Sequence, residues 1–229
     1  MSKKIFMLAA IAGLIISANA SAQYYGGGRP QENEYHNSTY TKTSNSGTDI
    51  YYGFRLGLGL STLNSDVDRW DGPTSRAGVN VGAVFGVQLT RVAPVYFETG
   101  LYYTQKGGRR DKNDDIGEVH FNLNYLEVPL LIKYNFDLSN DISIQPLLGG
   151  YLAVGVGGTV KRYDEKIKEE SFSDDYFKRF DGGIRIGCGI QYQILYGDIA
   201  YEWGLANIGR DDFESTHNGA FYINVGVNF

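Results

Sequence analysis

The sequence predicts an all-β fold, an eight-stranded antiparallel up-and-down transmembrane β-barrel. Three observations carry that expectation. Segments in which apolar and polar residues alternate recur from residue 52 to the end of the chain, and a period of two marks a strand with two unlike faces. The connections between these segments alternate long and short. The polar set mixes ionisable side chains with many glycines, which suits a narrow barrel interior filled by side chains.

The segments follow in order. At 52–61, "YGFRLGLGLS" sets Phe54, Leu56, Leu58 and Leu60 against Gly53, Arg55, Gly57 and Gly59. Segment 76–90 sets Val79, Val81, Phe85 and Val87 against Gly78, Asn80, Gly82 and Gly86. Segment 95–105 sets Val95, Phe97, Leu101 and Tyr103 against Tyr96, Glu98 and Tyr102. Segment 122–136 sets Leu126, Val128, Leu130 and Ile132 against Tyr125, Glu127 and Lys133. Segments 142–157 and 179–193 continue the pattern, the latter with Asp181 and Arg185 in its polar phase. Segment 197–205 sets Ile199, Tyr201 and Trp203 against Asp198 and Glu202. Segment 220–229 sets Phe221, Ile223, Val225, Val227 and Phe229 against Tyr222, Asn224 and Asn228.

Long connections lie at 62–75, 106–121, 158–178 and 206–219, and short ones at 90–94, 137–141 and 194–196. An antiparallel meander puts alternate connections at opposite ends, so all the long loops share one end. Membrane barrels have this asymmetry, with long outer loops and short inner turns. Outward aromatics fall at two levels: Phe54, Phe97, Tyr134, Phe136, Tyr192 and Phe229 toward the short-turn rim, and Tyr103, Phe180, Trp203 and Phe221 toward the other. Two aromatic girdles are expected of a barrel in a bilayer.

The polar phase carries Arg55, Glu98, Glu127, Lys133, Asp181, Arg185, Asp198 and Glu202. If that phase faces inward, the charges must pair, and these eight residues are expected to form a lumen network. Glycine beside tyrosine and arginine lets large side chains cross the narrow interior. On a water-facing surface repeated glycine would only weaken the strands. The opposite arrangement, a soluble secreted ligand-binding barrel with its leucines inside, is the alternative.

The chain opens with Lys3 and Lys4, an apolar run from Ile5 to Ile16, and Ala20-Ser21-Ala22. This is the pattern of a secretory signal peptide, residues 1–22. Residues 23–49 are polar and without period, a flexible leader. Residues 50–229 form the barrel domain. The bacterial outer membrane is the expected destination, with its lipid as a partner. Cys188 is the only cysteine, so no intrachain disulfide forms. With 21 basic against 26 acidic residues, the balance does not favour nucleic acid.

Catalytic chemistry has little to stand on. His36, His120 and His217 do not have metal-ligand spacing, and no nucleophile motif accompanies them. Ser215 with His217, or His120 with Glu118, are the candidates for an outer-membrane lipid-modifying hydrolase, the second alternative. Gly107-Gly108 beside Arg109 and Arg110 lacks the strand–loop–helix context of a phosphate cradle. The expectation is no enzyme, no cofactor and no metal.

At "GLYYTQKGGRR" (100–110) and "NYLEVPLLIKYNF" (124–136) the sequence resembles the PorT-type outer-membrane β-barrel family of Bacteroidetes-like bacteria, over residues 50 to 229. The resemblance implies a small outer-membrane barrel; its narrow lumen, packed with Tyr, Arg and Glu, should not pass solutes, so the expected role is a membrane scaffold or interaction protein. Its long loops would meet a protein or surface partner, in a secretion or surface-assembly complex. It also implies that Phe229 is the assembly signal read by the barrel-assembly machinery. Pro129 and Pro146 depart from a uniform ladder, and each is expected to mark a bulge or bend.

Overall fold

The computed structural model describes residues 49–65, 74–110, 118–162, 167–172, 177–209 and 215–229. The expected signal peptide and, up to residue 48, the expected leader lie outside the described residues. The elements are β1 (Ile50–Ser65), β2 (Thr74–Gln88), β3 (Val95–Arg110), β4 (Val119–Tyr134), β5 (Phe136–Asp137), β6 (Ile142–Arg162), β7 (Ile167–Glu170), β8 (Phe180–Tyr192), β9 (Leu195–Gly204) and β10 (Thr216–Asn228).

Eight of them close a cylinder. Going round, the order is β1, β2, β3, β4, β6, β8, β9, β10 and back to β1, with every neighbour antiparallel. Closure is made by the first and last strands: Leu58 stands opposite Ile223 and Leu60 opposite Phe221. The seam ends in a reciprocal pair, Phe229 N–H to Tyr52 O at 2.8 Å and Tyr52 N–H to Phe229 O at 3.1 Å. β5 continues β4 beyond Asn135, and β7 folds back on the tip of β6.

The alternation decides the faces as the leucines predict. Leu56, Leu58, Leu60, Leu130, Ile132, Ile186, Ile199 and Ile223 are exposed, Leu58 at 68%, while Arg55, Glu98, Glu127, Lys133 and Glu202 are buried. A soluble barrel has the reverse arrangement, so the ligand-binding alternative is overturned by the direction in which the side chains point. From Ile50 to Leu60 the outward apolar run covers roughly 33 Å of strand. At a tilt of about 40° that is roughly 25 Å of height, the apolar band of a membrane barrel. Among the described residues no helix is long and apolar enough to cross a membrane.

Several strands run further into the long-loop end than the alternation suggests. β1 reaches Ser65 rather than 61, β3 reaches Arg110 rather than 105, β4 begins at Val119 rather than 122, and β6 reaches Arg162 rather than 157. The physical reason is that polarity inverts there. Leu63, Phe121, Leu123 and Val160 point inward and are buried, while Asn64 is exposed and His120, Asn122 and Lys161 are half-exposed on the outer face. Above the apolar band the wall is surrounded by water, and it takes the in-and-out polarity of a soluble protein.

The two prolines do not mark bulges. Pro146 pairs with Cys188 in an unbroken register. Beside Pro129 the β3–β4 pairs lapse at Gly100 and Leu101, yet Thr99 opposite Leu130 and Tyr102 opposite Glu127 keep one register. Thr99 Oγ1 donates to Pro129 O at 2.8 Å, so a side chain helps bridge the lapse. The register shifts instead between Ser75 and Asn80 on the β2–β3 seam and between Asn124 and Tyr125 on the β4–β6 seam. Opposite the first shift, Gly107 has φ +129°, a conformation that other residues avoid.

Candidate functional site: a charged lumen under an apolar cap

The inward positions of the eight strands stack into layers. Nearest the short turns, β6 supplies Gln145, β8 Gln191 and β10 Asn228. Gln145 and Asn228 both donate to Gln191 Oε1, at 3.0 and 2.9 Å.

The next layer centres on Glu98. Tyr51 OH donates to its Oε2 at 2.6 Å, Lys133 Nζ at 3.0 Å, and Arg55 stands 3.5 Å away. Lys133 also donates to Tyr196 OH at 3.0 Å, and the Arg55 guanidinium lies 3.8 Å over the Tyr196 ring. One carboxylate therefore holds two cations, and one aromatic ring lies beside both.

Above this comes a larger cluster. Arg185 meets Glu202 at 3.2 Å, Glu127 at 3.7 Å and Asp198 at 3.9 Å. Asp198 accepts from Asn224 at 2.8 Å, and Asn224 in turn accepts from Asn80 at 2.8 Å. These two asparagines flank Gly57 from the strands on either side of β1, so the chain of hydrogen bonds runs along the inner wall beneath the closing seam. Lys106 stands between Glu127 and Glu202, 2.9 Å from each, with Asp181 at 3.5 Å and the Tyr151 ring at 4.0 Å. Asn218 donates to Asp181 at 2.9 Å.

All eight residues named from the sequence thus lie inside the barrel and in contact with opposite charge. Lys106, fully buried and touching three carboxylates, is the residue that sequence reasoning misses. Gly107, Gly108 and a run of charges follow it, so the pattern assigns it to the connection 106–121. The phase that places Tyr102 and Thr104 inward also places Lys106 there, and that phase is the signal that could have found it.

Glycine provides the room. Gly82, Gly59 and Gly86 stand opposite Tyr102, Tyr222 and Tyr51. A Cβ at Gly59 would come within 2.7 Å of the Tyr222 ring, and one at Gly82 within 2.5 Å of Tyr102. Each tyrosine lies over a glycine on the neighbouring strand, an arrangement that covers backbone otherwise left bare.

The long-loop end is closed by a second, apolar core. Leu63, Phe121, Leu123 and Val160 from the strands pack with Phe172, Phe177 and Ile208 from the connections. Phe177 meets Phe121 edge-on at 5.7 Å, and Phe172 meets Tyr125 edge-on at 5.4 Å. Ser171 Oγ donates to Asn122 O at 2.7 Å and ties this cap to β4.

The other candidate residues stay apart from the lumen. His120 contacts Glu118 at 2.7 Å on the outer face. His217 lies 3.2 Å from Ser215 Oγ through Nε2, and 3.1 Å from Ala206 O through Nδ1. His36 is outside the described residues. Arg109 belongs to a strand, not to a loop that could cradle phosphate. Cys188 is exposed on the outer face. Phe229 stacks on Tyr52 at 5.8 Å. Among the described residues no group of His, Cys, Asp or Glu is arranged to hold a metal ion.

An apolar outer wall round a packed, charge-paired interior defines a membrane-spanning β-barrel with a filled lumen. The chain belongs to the outer membrane protein β-barrel domain family, whose model matches residues 24–210. No curated protein matches the chain. Solved structures similar to it include the following three. Neisserial surface protein A is 14% identical, with 80% of this chain and all of that one covered at a TM-score of 0.47. OprG of Pseudomonas aeruginosa is 15% identical, with 80% and 96% covered at 0.43. Ail of Yersinia pestis, solved with the heparin analogue sucrose octasulfate, is 14% identical, with 79% and 99% covered at 0.41.

Proposed function

We propose that this outer-membrane protein is a sealed scaffold that presents its long-loop end to a protein or surface partner, within a PorT-type secretion or surface-assembly complex. The observation that carries this reading is the lumen. Side chains meet across it at successive heights, Lys133 with Tyr196, Lys106 with Glu202 and Asn218 with Tyr125, and an apolar cap lies over them. A barrel so filled has no aqueous path, and what remains for it to offer is a surface. Its outer extension, with Glu169 and Glu170 exposed on β7 where it pairs with β6, contributes to that surface. In this reading the chain is not an enzyme. Residues 1–22 are removed on export, and Phe229 is read by the barrel-assembly machinery.

The test has two parts. The purified barrel in a planar bilayer should carry no steady ion current; open-pore conductance would refute the sealed lumen. Detergent-phase capture from the native envelope should retain a partner with the wild type and lose it with Glu169→Lys/Glu170→Lys. Equal capture by both would remove the β7 tip from the contact surface.

A second reading, a lipid-modifying hydrolase, draws on one observation, the 3.2 Å contact between Ser215 and His217. The other ring nitrogen of His217 faces a backbone carbonyl, where a triad would have a carboxylate. Turnover of a lipid ester that disappears in Ser215→Ala and His217→Ala would favour it over the scaffold.

A further inference from the structure

Each short turn of the barrel exposes a large apolar side chain, beside Arg91 in the first turn and among Asp137, Ser139 and Asn140 in the second. Turn tips are normally Gly, Asn, Asp or Ser, each for its backbone preference. Here the β2–β3 turn carries Val92 at 96% exposure, the β4–β6 turn Leu138 at 64%, and the β8–β9 turn Ile194 at 39%. Leu89 and Leu195 flank the first and third and are also exposed. In the β8–β9 turn the backbone goes left-handed at Gln193, φ 52°. A two-residue hairpin turn of this kind ordinarily has glycine there, yet the chain places Gln193 and then Ile194.

The fourth junction of this rim is the seam between β10 and β1. Ile50 is exposed beside it, and Phe229 stacks on Tyr52. The strand order spaces the four junctions evenly: β2–β3, β4–β6, β8–β9 and β10–β1 are separated by two strands each. The apolar tips therefore ring the barrel. A protein partner would require a patch on one side. What surrounds a barrel on all sides is the bilayer.

The heights agree. On β2 the outward apolar run goes from Ala77 to Leu89, roughly 40 Å of strand and roughly 30 Å of height at the tilt of such barrels. That exceeds the apolar band of about 25 Å, so the end of the run reaches the headgroup level. Val92 follows after Thr90 and the exposed Arg91, at the level of the headgroups.

We propose that the short turns are themselves membrane-embedded, with Val92, Leu138 and Ile194 seated at the headgroup–acyl boundary of the phospholipid leaflet on the short-turn side. The apolar turn tips then face lipid rather than soluble partners. This holds whether or not a partner exists at the long loops, so the two readings fail separately.

The experiment places one tryptophan at a time, Val92→Trp, Leu138→Trp or Ile194→Trp, in the full chain with Trp70→Phe and Trp203→Phe. The proteins are reconstituted in phosphatidylcholine vesicles brominated at the upper acyl carbons. Loss of fluorescence is expected at all three turns, with little further loss to aqueous acrylamide. Full acrylamide quenching and no bromine quenching at the turns would overturn the proposal. Bromine quenching at one turn alone would also overturn it, and would indicate a one-sided patch. Heat-modifiable migration on electrophoresis verifies that each variant is folded. Should a tryptophan variant not fold, a nitroxide on Val92→Cys in a Cys188→Ala background reads depth by oxygen-against-nickel accessibility. Greater collision with nickel than with oxygen would overturn the proposal there.

Discussion

Lys106→Met removes the most widely shared cation of the lumen. Methionine keeps roughly the length of the lysine stem and deletes only the charge. Three carboxylates then lose their common partner: Glu127 and Glu202, each 2.9 Å from Nζ, and Asp181 at 3.5 Å. At an effective dielectric near 20, each 2.9 Å contact has a gross Coulomb energy of roughly 6 kcal/mol, before desolvation is subtracted. Removing one partner of a buried pair costs about 3–5 kcal/mol, because the charge left behind stays buried. Arg185 still faces Glu127 and Glu202, so the lower half of that range, about 3 kcal/mol, is expected. The assay is reversible urea unfolding in detergent micelles, followed by tryptophan fluorescence. Lys106→Met/Glu202→Gln restores the original balance of lumen charge and should recover most of the loss. A loss below about 1 kcal/mol, or no recovery in the double variant, would refute the idea that buried charge pairing governs lumen stability.

Two further outcomes follow from the polarity of the walls. Leu56→Arg should cost about 2–4 kcal/mol, since the side chain sits near mid-depth in lipid. Asn64→Arg, outward on the same strand but above the apolar band, should change stability by less than about 0.5 kcal/mol, and equal effects in the same unfolding assay would erase the inferred boundary. Phe121→Ala should cost about 3–5 kcal/mol within the cap. Limited proteolysis should then cut the long-loop end while the strands in the micelle stay protected, and simultaneous loss of both would mean that cap and barrel unfold as one unit.

The eight strands and their inverted polarity are legible because lipid and lumen impose opposite demands on successive residues. Leu56, Leu58 and Leu60 alternating with Arg55, Gly57 and Gly59 leave one consistent answer. Tertiary context hides the rest. Phe121 and Leu123 are inward, and His120 and Asn122 outward, in the phase of β4, but their polarity is reversed relative to Glu127 and Val128. A pattern search tuned to one polarity sees the strand stop where only its surroundings change. Lys106 escapes for the same reason, at the point where one regime gives way to the other. The pairing of Lys106 with Glu127, Asp181 and Glu202 joins four strands, and no local spacing encodes which cation meets which carboxylate. Pro129 misleads in the opposite direction. The expected bulge is absent, because the loss of one donor only interrupts the ladder while the residues on either side hold the register.

The joint between β1 and β10 bears on how the molecule comes into being. The first strand has no partner on one side until the last has been made, so one edge waits through the whole of synthesis and export. Its unsatisfied amides are a template for wrong pairing in water and intolerable in hydrocarbon. Wall closure is also the contact of greatest sequence separation, and such contacts form slowly. A chain cut short before Thr216 would lose the one strand that β1 and β9 share. It would leave two open edges rather than one shorter barrel, and the last few residues therefore decide whether the preceding strands can remain in a membrane at all.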